Sequence, residues 1–281
     1  MLPSLRRAAL GVYGWVFPGH AAAWFERVLL TPRPVPPLRL PTPAVPRATH
    51  RLPYGWGWLN VTEWGTAGPA VLLVHGWGGR SESLHALVEP LVALGHRAIT
   101  VDLPAHGGSG GGPRTNLIEC AGAVLQAGQA FAPLAGIVGH SFGGPVAALA
   151  WRHGLRANAL VFLAPPLSVR DVSLPVGDWL GLPRHVSLLM MDRLARRLDI
   201  TWDELRTDRL VAKMDVPLLV VHDEEDKLVP WSQGAAVARA ARHGRLRTTA
   251  GLGHRDLLVE PTVVADVVAV VTAASPARRI A

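Results

Sequence analysis

The chain has 281 residues, 49% of them apolar and 17% charged, which suits one large domain with a full core, or one domain plus a modest insertion, rather than a disordered chain. Its formal charge of +7 lies almost wholly at one end, because residues 1–60 hold seven arginines (Arg6, Arg7, Arg27, Arg33, Arg39, Arg47 and Arg51) against one acid, Glu26. That arm has no Lys/Arg cluster interleaved with stacking aromatics, so it does not read as a nucleic-acid surface, and a lone cysteine, Cys120, excludes an intrachain disulfide.

A single thiol suits a reducing, cytoplasmic setting, and its Ala/Gly/Leu surroundings put Cys120 in the core. In the arm, Ala8–Phe25 is mostly apolar, but Gly11, Gly14, Pro18, Gly19 and His20 interrupt it. No stretch there approaches the roughly 18–20 residues that span a bilayer. Leu10, Tyr13, Phe17, Ala21, Trp24 and Val28 recur at three- and four-residue spacing, which predicts an amphipathic helix packed on the body of the protein. A peripheral membrane surface is the second surface that helix fits. Eight prolines between Pro32 and Pro53 then predict an extended strap, so residues 1–48 form an N-terminal arm.

The main domain is predicted over 49–275, with 276–281 as a tail. Two strands, 49–52 and 56–64, flank a Tyr54-Gly55 turn. Short apolar strands then alternate with helices: strands at 71–75, 98–102, 134–138, 159–163, 217–222 and 245–249, and helices near 82–94, 116–131, 142–153, 231–242 and 261–272. Uniformly apolar strands bracketed by helices predict an α/β fold, a doubly wound and mostly parallel sheet covered on both faces. Residues of about 165–213 break the alternation and read as a helical lid, with Thr201-x-x-Glu204 as a helix-starting capping box.

Three loops carry the chemistry. Gly139-His140-Ser141-Phe142-Gly143 lies where an apolar strand turns into an Ala/Leu-rich helix, the corner at which a strained turn displays a serine hydroxyl. Four acids, Asp223, Glu224, Glu225 and Asp226, follow the 217–222 strand, and Gly251-Leu252-Gly253-His254 follows the last strand. The order is serine, acid, histidine, and an activated serine needs a base and a group to orient that base.

On these motifs the chain, over roughly 50–275, resembles the α/β-hydrolase superfamily. His75-Gly76-Trp77 is similar to that family's oxyanion loop, Asp102 to Ser109 to its Asp-x-x-Gly-x-Gly-x-Ser loop, and 139–143 to its nucleophile elbow. Asp226, three residues before Val229-Pro230, matches the family's acid, while Asp223 stands where that pattern often has glycine and is the alternative acid. The resemblance implies Ser141 as nucleophile, His254 as base, Asp226 as its orienting acid, and the backbone N–H groups of Trp77 and Phe142 as oxyanion donors. It implies a cofactor-independent serine hydrolase acting on a small carboxylic ester or related acyl compound. Thioester, lactone, amide and C–C cleavage use the same apparatus.

The side chains of Trp77 and Phe142, with Trp179, Leu182, Leu189 and Met190 of the lid, are then expected to line an apolar acyl pocket. His75 and His140 read as loop braces, His106 as structural or pocket-lining, and no spaced His/Cys/Asp cluster points to a metal. Two rival readings remain. Gly76, Gly78 and Ser81 with Asp102 partly mimic a dinucleotide fingerprint and suggest an NAD(P)-dependent oxidoreductase, although Ser81 takes the third glycine's place. The other is a non-catalytic relative that only binds.

Overall fold

A computed structural model describes residues 4–36, 38 and 40–274. The predicted tail, 276–281, lies outside the described residues.

Eight strands form one sheet: β1 (Arg47–Tyr54), β2 (Gly57–Trp64), β3 (Ala70–Val74), β4 (Arg97–Val101), β5 (Leu134–His140), β6 (Leu160–Leu163), β7 (Leu218–Asp223) and β8 (Gly244–Thr249). Their order is β1-β2-β4-β3-β5-β6-β7-β8. The β1–β2 and β2–β4 pairs are antiparallel and every later pair is parallel. β3 and β5 to β7 are buried along their whole length, as a parallel sheet covered on both faces requires.

Two cores follow from side-chain alternation. Leu72 and Val74 of β3 face a cluster built with α4 (Leu117–Ala130), α5 (Gly143–Arg152) and α9 (Trp231–Ala240). Val71 and Leu73 face the other cluster, with α3 (Val88–Ala93) and α10 (Pro261–Ala273). Cys120 is buried in α4, where burial pushes its thiol up to about 12. It is a small core residue and not a nucleophile.

The register brings the strand ends level. His140 pairs with Leu163, Leu163 with Val221, and Asp223 with Thr249. The loops after β5, β7 and β8, far apart in sequence, therefore emerge on one edge of the sheet.

Between β6 and β7 lie α6 (Val169–Leu180), α7 (Arg184–Leu198) and the short α8 (Thr207–Val211). The arm is two helices, α1 (Ser4–Val16) and α2 (Pro18–Leu30), where the spacing predicts one. Pro18 has no N–H and opens α2 at its first turn, so Phe17 leaves helical geometry. Ala21, Ala22 and Phe25 of α2 pack on Leu174, Val186 and Met190 of the insertion, and Glu26 pairs with Arg197 of α7.

Two other local predictions give way. The predicted 82–94 helix is a 3-10 turn, Ser81–Leu87, followed by the brief α3. The Thr201-x-x-Glu204 spacing starts no helix: Glu204 N donates to Thr201 O at 3.2 Å within a run of turns, and α8 begins only at Thr207.

Candidate active site

Ser141 stands between β5 and α5 with φ +50°, in the left-handed region that residues with a side chain rarely adopt. Its N–H donates to Leu163 O of the neighbouring strand at 2.8 Å, and its carbonyl accepts from Gly144 N at 3.0 Å. This turn can be so tight only because Gly143 lacks a Cβ, which would collide with the Val74 carbonyl of β3.

His254, in the loop after β8, approaches Asp226 with Nδ1 2.6 Å from Oδ2. The other carboxylate oxygen of Asp226 accepts from Leu228 N and Val229 N at 2.8 and 2.9 Å. Burial raises the pKa of this carboxyl, but hydrogen bonds from His222, His254 and Val229 outweigh it and hold the group well below the usual carboxylate range. An ionised Asp226 accepts from Nδ1–H, which leaves the Nε2 lone pair of His254 free to take a proton.

Asp223, the alternative acid, is committed elsewhere. Its oxygens accept from Glu225 N at 2.9 Å, Thr249 Oγ1 at 2.8 Å and Leu252 N at 3.0 Å, so it braces the loop that carries His254.

Three more histidines fasten the surrounding loops. His75 donates from Nδ1 to Gly76 O and accepts at Nε2 from Leu103 N. His106 donates from Nδ1 to Pro104 O and accepts from Gly78 N, and His140 donates from Nε2 to the His254 carbonyl at 3.0 Å. Burial pushes His106 down to about 4 and His140 down to about 3, the latter helped by nearby His254. Sequence reasoning did not single out His222. It is fully buried, with Nε2 2.9 Å from Val229 O and 3.3 Å from Asp226 Oδ2, behind the carboxylate that His254 faces. Its position four residues before Asp226 was the only available signal.

Ser141 and His254 open onto one largely apolar cavity of about 540 Å³. Trp77 and Phe142 line it in edge-to-face contact, their ring centroids 5.1 Å apart. The loop after β3 and the turn after Ser141 are thus neighbours. Of the four lid residues expected there, only Trp179 lines the cavity. Leu182 and Met190 are buried in the cluster that holds α2, and Leu189 packs against the same cluster. α7 has two apolar faces, and Met191, Leu194 and Leu198, at helical spacing, look into the cavity. The arm contributes too: Val28, Leu29 and Leu30 of α2 and Val35 of the strap form one wall, and Val35 N donates to Gly78 O at 2.9 Å.

The dinucleotide reading does not fit this geometry. Asp102, the acid it needs for a ribose, accepts from Ser81 N and Gly108 N at 2.8 Å and from Asn60 Nδ2 at 3.0 Å. It is a buried loop brace. Among the described residues no group of three His, Cys, Asp or Glu side chains is arranged to hold a metal ion.

The model of the alpha/beta hydrolase fold family matches residues 69–213, and the chain belongs to that family. A relative, the uncharacterized protein Rv2307c of Mycobacterium tuberculosis, is 29% identical over 210 residues, which are 71% of this chain and 68% of the relative. Among solved structures, a bacterial membrane phospholipase A superposes with TM-score 0.62 at 17% identity, covering 95% of this chain and 96% of that one. An esterase from Exiguobacterium antarcticum superposes with TM-score 0.58 at 18% identity, covering 76% and 96%. At such identities the likeness to the two solved structures is one of fold.

Proposed function

We propose that this hydrolase is a serine hydrolase that cleaves a carboxylic ester or related acyl substrate through an acyl-enzyme. The observation that carries the reading is the 2.6 Å contact of His254 with Asp226 at the cavity onto which the strained Ser141 opens. Esterase and phospholipase neighbours of the same fold support it.

In this reading His254 Nε2 takes the Ser141 proton as Oγ bonds to the acyl carbon. The carbonyl electron pair moves onto oxygen, and the backbone N–H groups of Trp77 and Phe142 receive that oxyanion. Collapse breaks the bond to the leaving alcohol, which departs with the proton from His254. Water, deprotonated by the same imidazole, then attacks the acyl-enzyme and releases the acid with Ser141 restored. The apolar lining of the cavity suits an aliphatic or aromatic acyl group better than a charged one.

A fluorophosphonate probe tests the proposal. Wild-type protein is expected to label covalently and Ser141→Ala to stay unlabelled, with p-nitrophenyl ester turnover reduced on the order of 10⁶-fold. An unlabelled wild type would leave the non-catalytic binding protein as the better reading.

A further inference from the structure

The amphipathicity of α1 is inverted. Gly14 and Leu10 turn toward the protein, and Arg7 is held at the end of α6, where its guanidinium donates to Asp178 O at 3.2 Å. Gly181, at φ +88°, leaves no room for a side chain beside the Arg7 backbone. The opposite face is apolar yet in water: Leu5 is 82% exposed, Val12 65%, Trp15 72% and Val16 60%, and Phe17 continues the patch. At 100° per residue, Leu5, Ala9, Val12 and Val16 fall on one stripe, with Trp15 and Tyr13 at its sides. A run of exposed apolar side chains of this extent marks an interaction surface.

We propose that this outward face of α1 docks on an anionic lipid bilayer and brings the cavity mouth to the acyl chains there. Charge selects the occupant. α1 itself carries Arg6 and Arg7 and no acid, and exposed Arg6, beside Tyr13 on the helix, has no carboxylate partner among the described residues. A self-association face made by two such arms would bring like charges together, whereas an anionic headgroup layer neutralises them. The flanking Trp15 and Tyr13 suit the headgroup boundary, where amphipathic rings settle. Position relates the face to the site. Arg7 grips the turn that ends α6, and Trp179, next to Asp178 in that turn, is 53% exposed and also lines the cavity. Among the described residues no helix is long and apolar enough to cross a membrane, so the contact is peripheral.

That the cavity takes lipid acyl groups rests on the proposed hydrolase reading; the docking itself does not. Full-length protein is sedimented with vesicles of equal parts phosphatidylglycerol and phosphatidylcholine, and with vesicles of phosphatidylcholine alone. Binding to the anionic vesicles is expected to weaken as salt is raised, to be at least about tenfold weaker on neutral vesicles, and to fall at least about tenfold in the Val12→Glu, Val16→Glu double variant. Both positions are exposed, so this variant should keep wild-type turnover of a water-soluble short-chain ester, a readout of the hydrolase reading alone. Wild type that stays in the supernatant with anionic vesicles overturns the docking proposal, as does a wild-type dimer that the double variant dissociates without any vesicle binding, since a second copy then covers the face.

Discussion

Asp223 ends β7 and Asp226 lies three residues on, in the loop that follows, both buried carboxylates. Their hydrogen bonds separate them: Asp226 meets Nδ1 of His254, and Asp223 ties Thr249 and Leu252. Asp226→Asn keeps an acceptor for Leu228 N and Val229 N but loses the charge that, in the proposed mechanism, orients His254 and stabilises its imidazolium, so kcat on a p-nitrophenyl ester should fall by about 10⁴. Asp223→Asn should instead cost about 1–3 kcal/mol of stability, read by urea unfolding, with kcat reduced less than about tenfold. The reverse pattern would exchange their roles. The sequence pointed to Asp226 through resemblance to the family's acid motif, at three residues before Val229-Pro230. It could not reveal His222 behind that carboxylate, because a contact four residues back along a strand end depends on how the loop folds over it.

At the scale of elements, the strands were readable because β3 and β5 to β7 are uniformly apolar, and burial on both faces demands that pattern. The insertion was less so. Its helices pack α2 on one side and the cavity on the other, so apolar content could not tell which residues face the cavity: Met190 faces α2, Leu194 the cavity. Phe25, fully buried between α2 and the insertion, joins the arm to that wall. Phe25→Ala should cost about 3–5 kcal/mol at this interface. Because α6 and α7 also line the cavity, the ratio of kcat/KM for long- over short-chain p-nitrophenyl esters should move toward unity. An unchanged ratio in a folded variant would show that the arm does not hold the cavity wall.

Across the whole molecule, the loops around Ser141 are stitched by histidines that are stable only when neutral. Burial pushes His106 down to about 4 and His140 down to about 3, against an ordinary value of 6.5, and lowers His75 as well. The unfolded chain therefore binds more protons than the native one between about pH 6.5 and those values. Their stabilising contribution is complete above about pH 7 and is lost as pH falls, each fully neutral histidine adding a slope of up to about 1.4 kcal/mol per pH unit. Asp102, Asp223 and Asp226, held below the ordinary 3.8, lose their own contribution only in stronger acid. Tm measured from pH 7 to 4 should thus decline steadily, and a flat profile would mean that these rings are not buried neutral.

Local pattern determined the alternating α/β order, the glycine-bounded serine turn and the sequence of serine, acid and histidine, because strand burial, turn strain and loop position leave marks within a few residues. Which face of α7 lines the cavity, that His222 stands behind Asp226, and that α2 and the strap supply one of the cavity's walls were decided only by tertiary structure. Those choices depend on how a loop folds over a strand end and on packing between segments more than a hundred residues apart, and neither is written in the periodicity of any one segment.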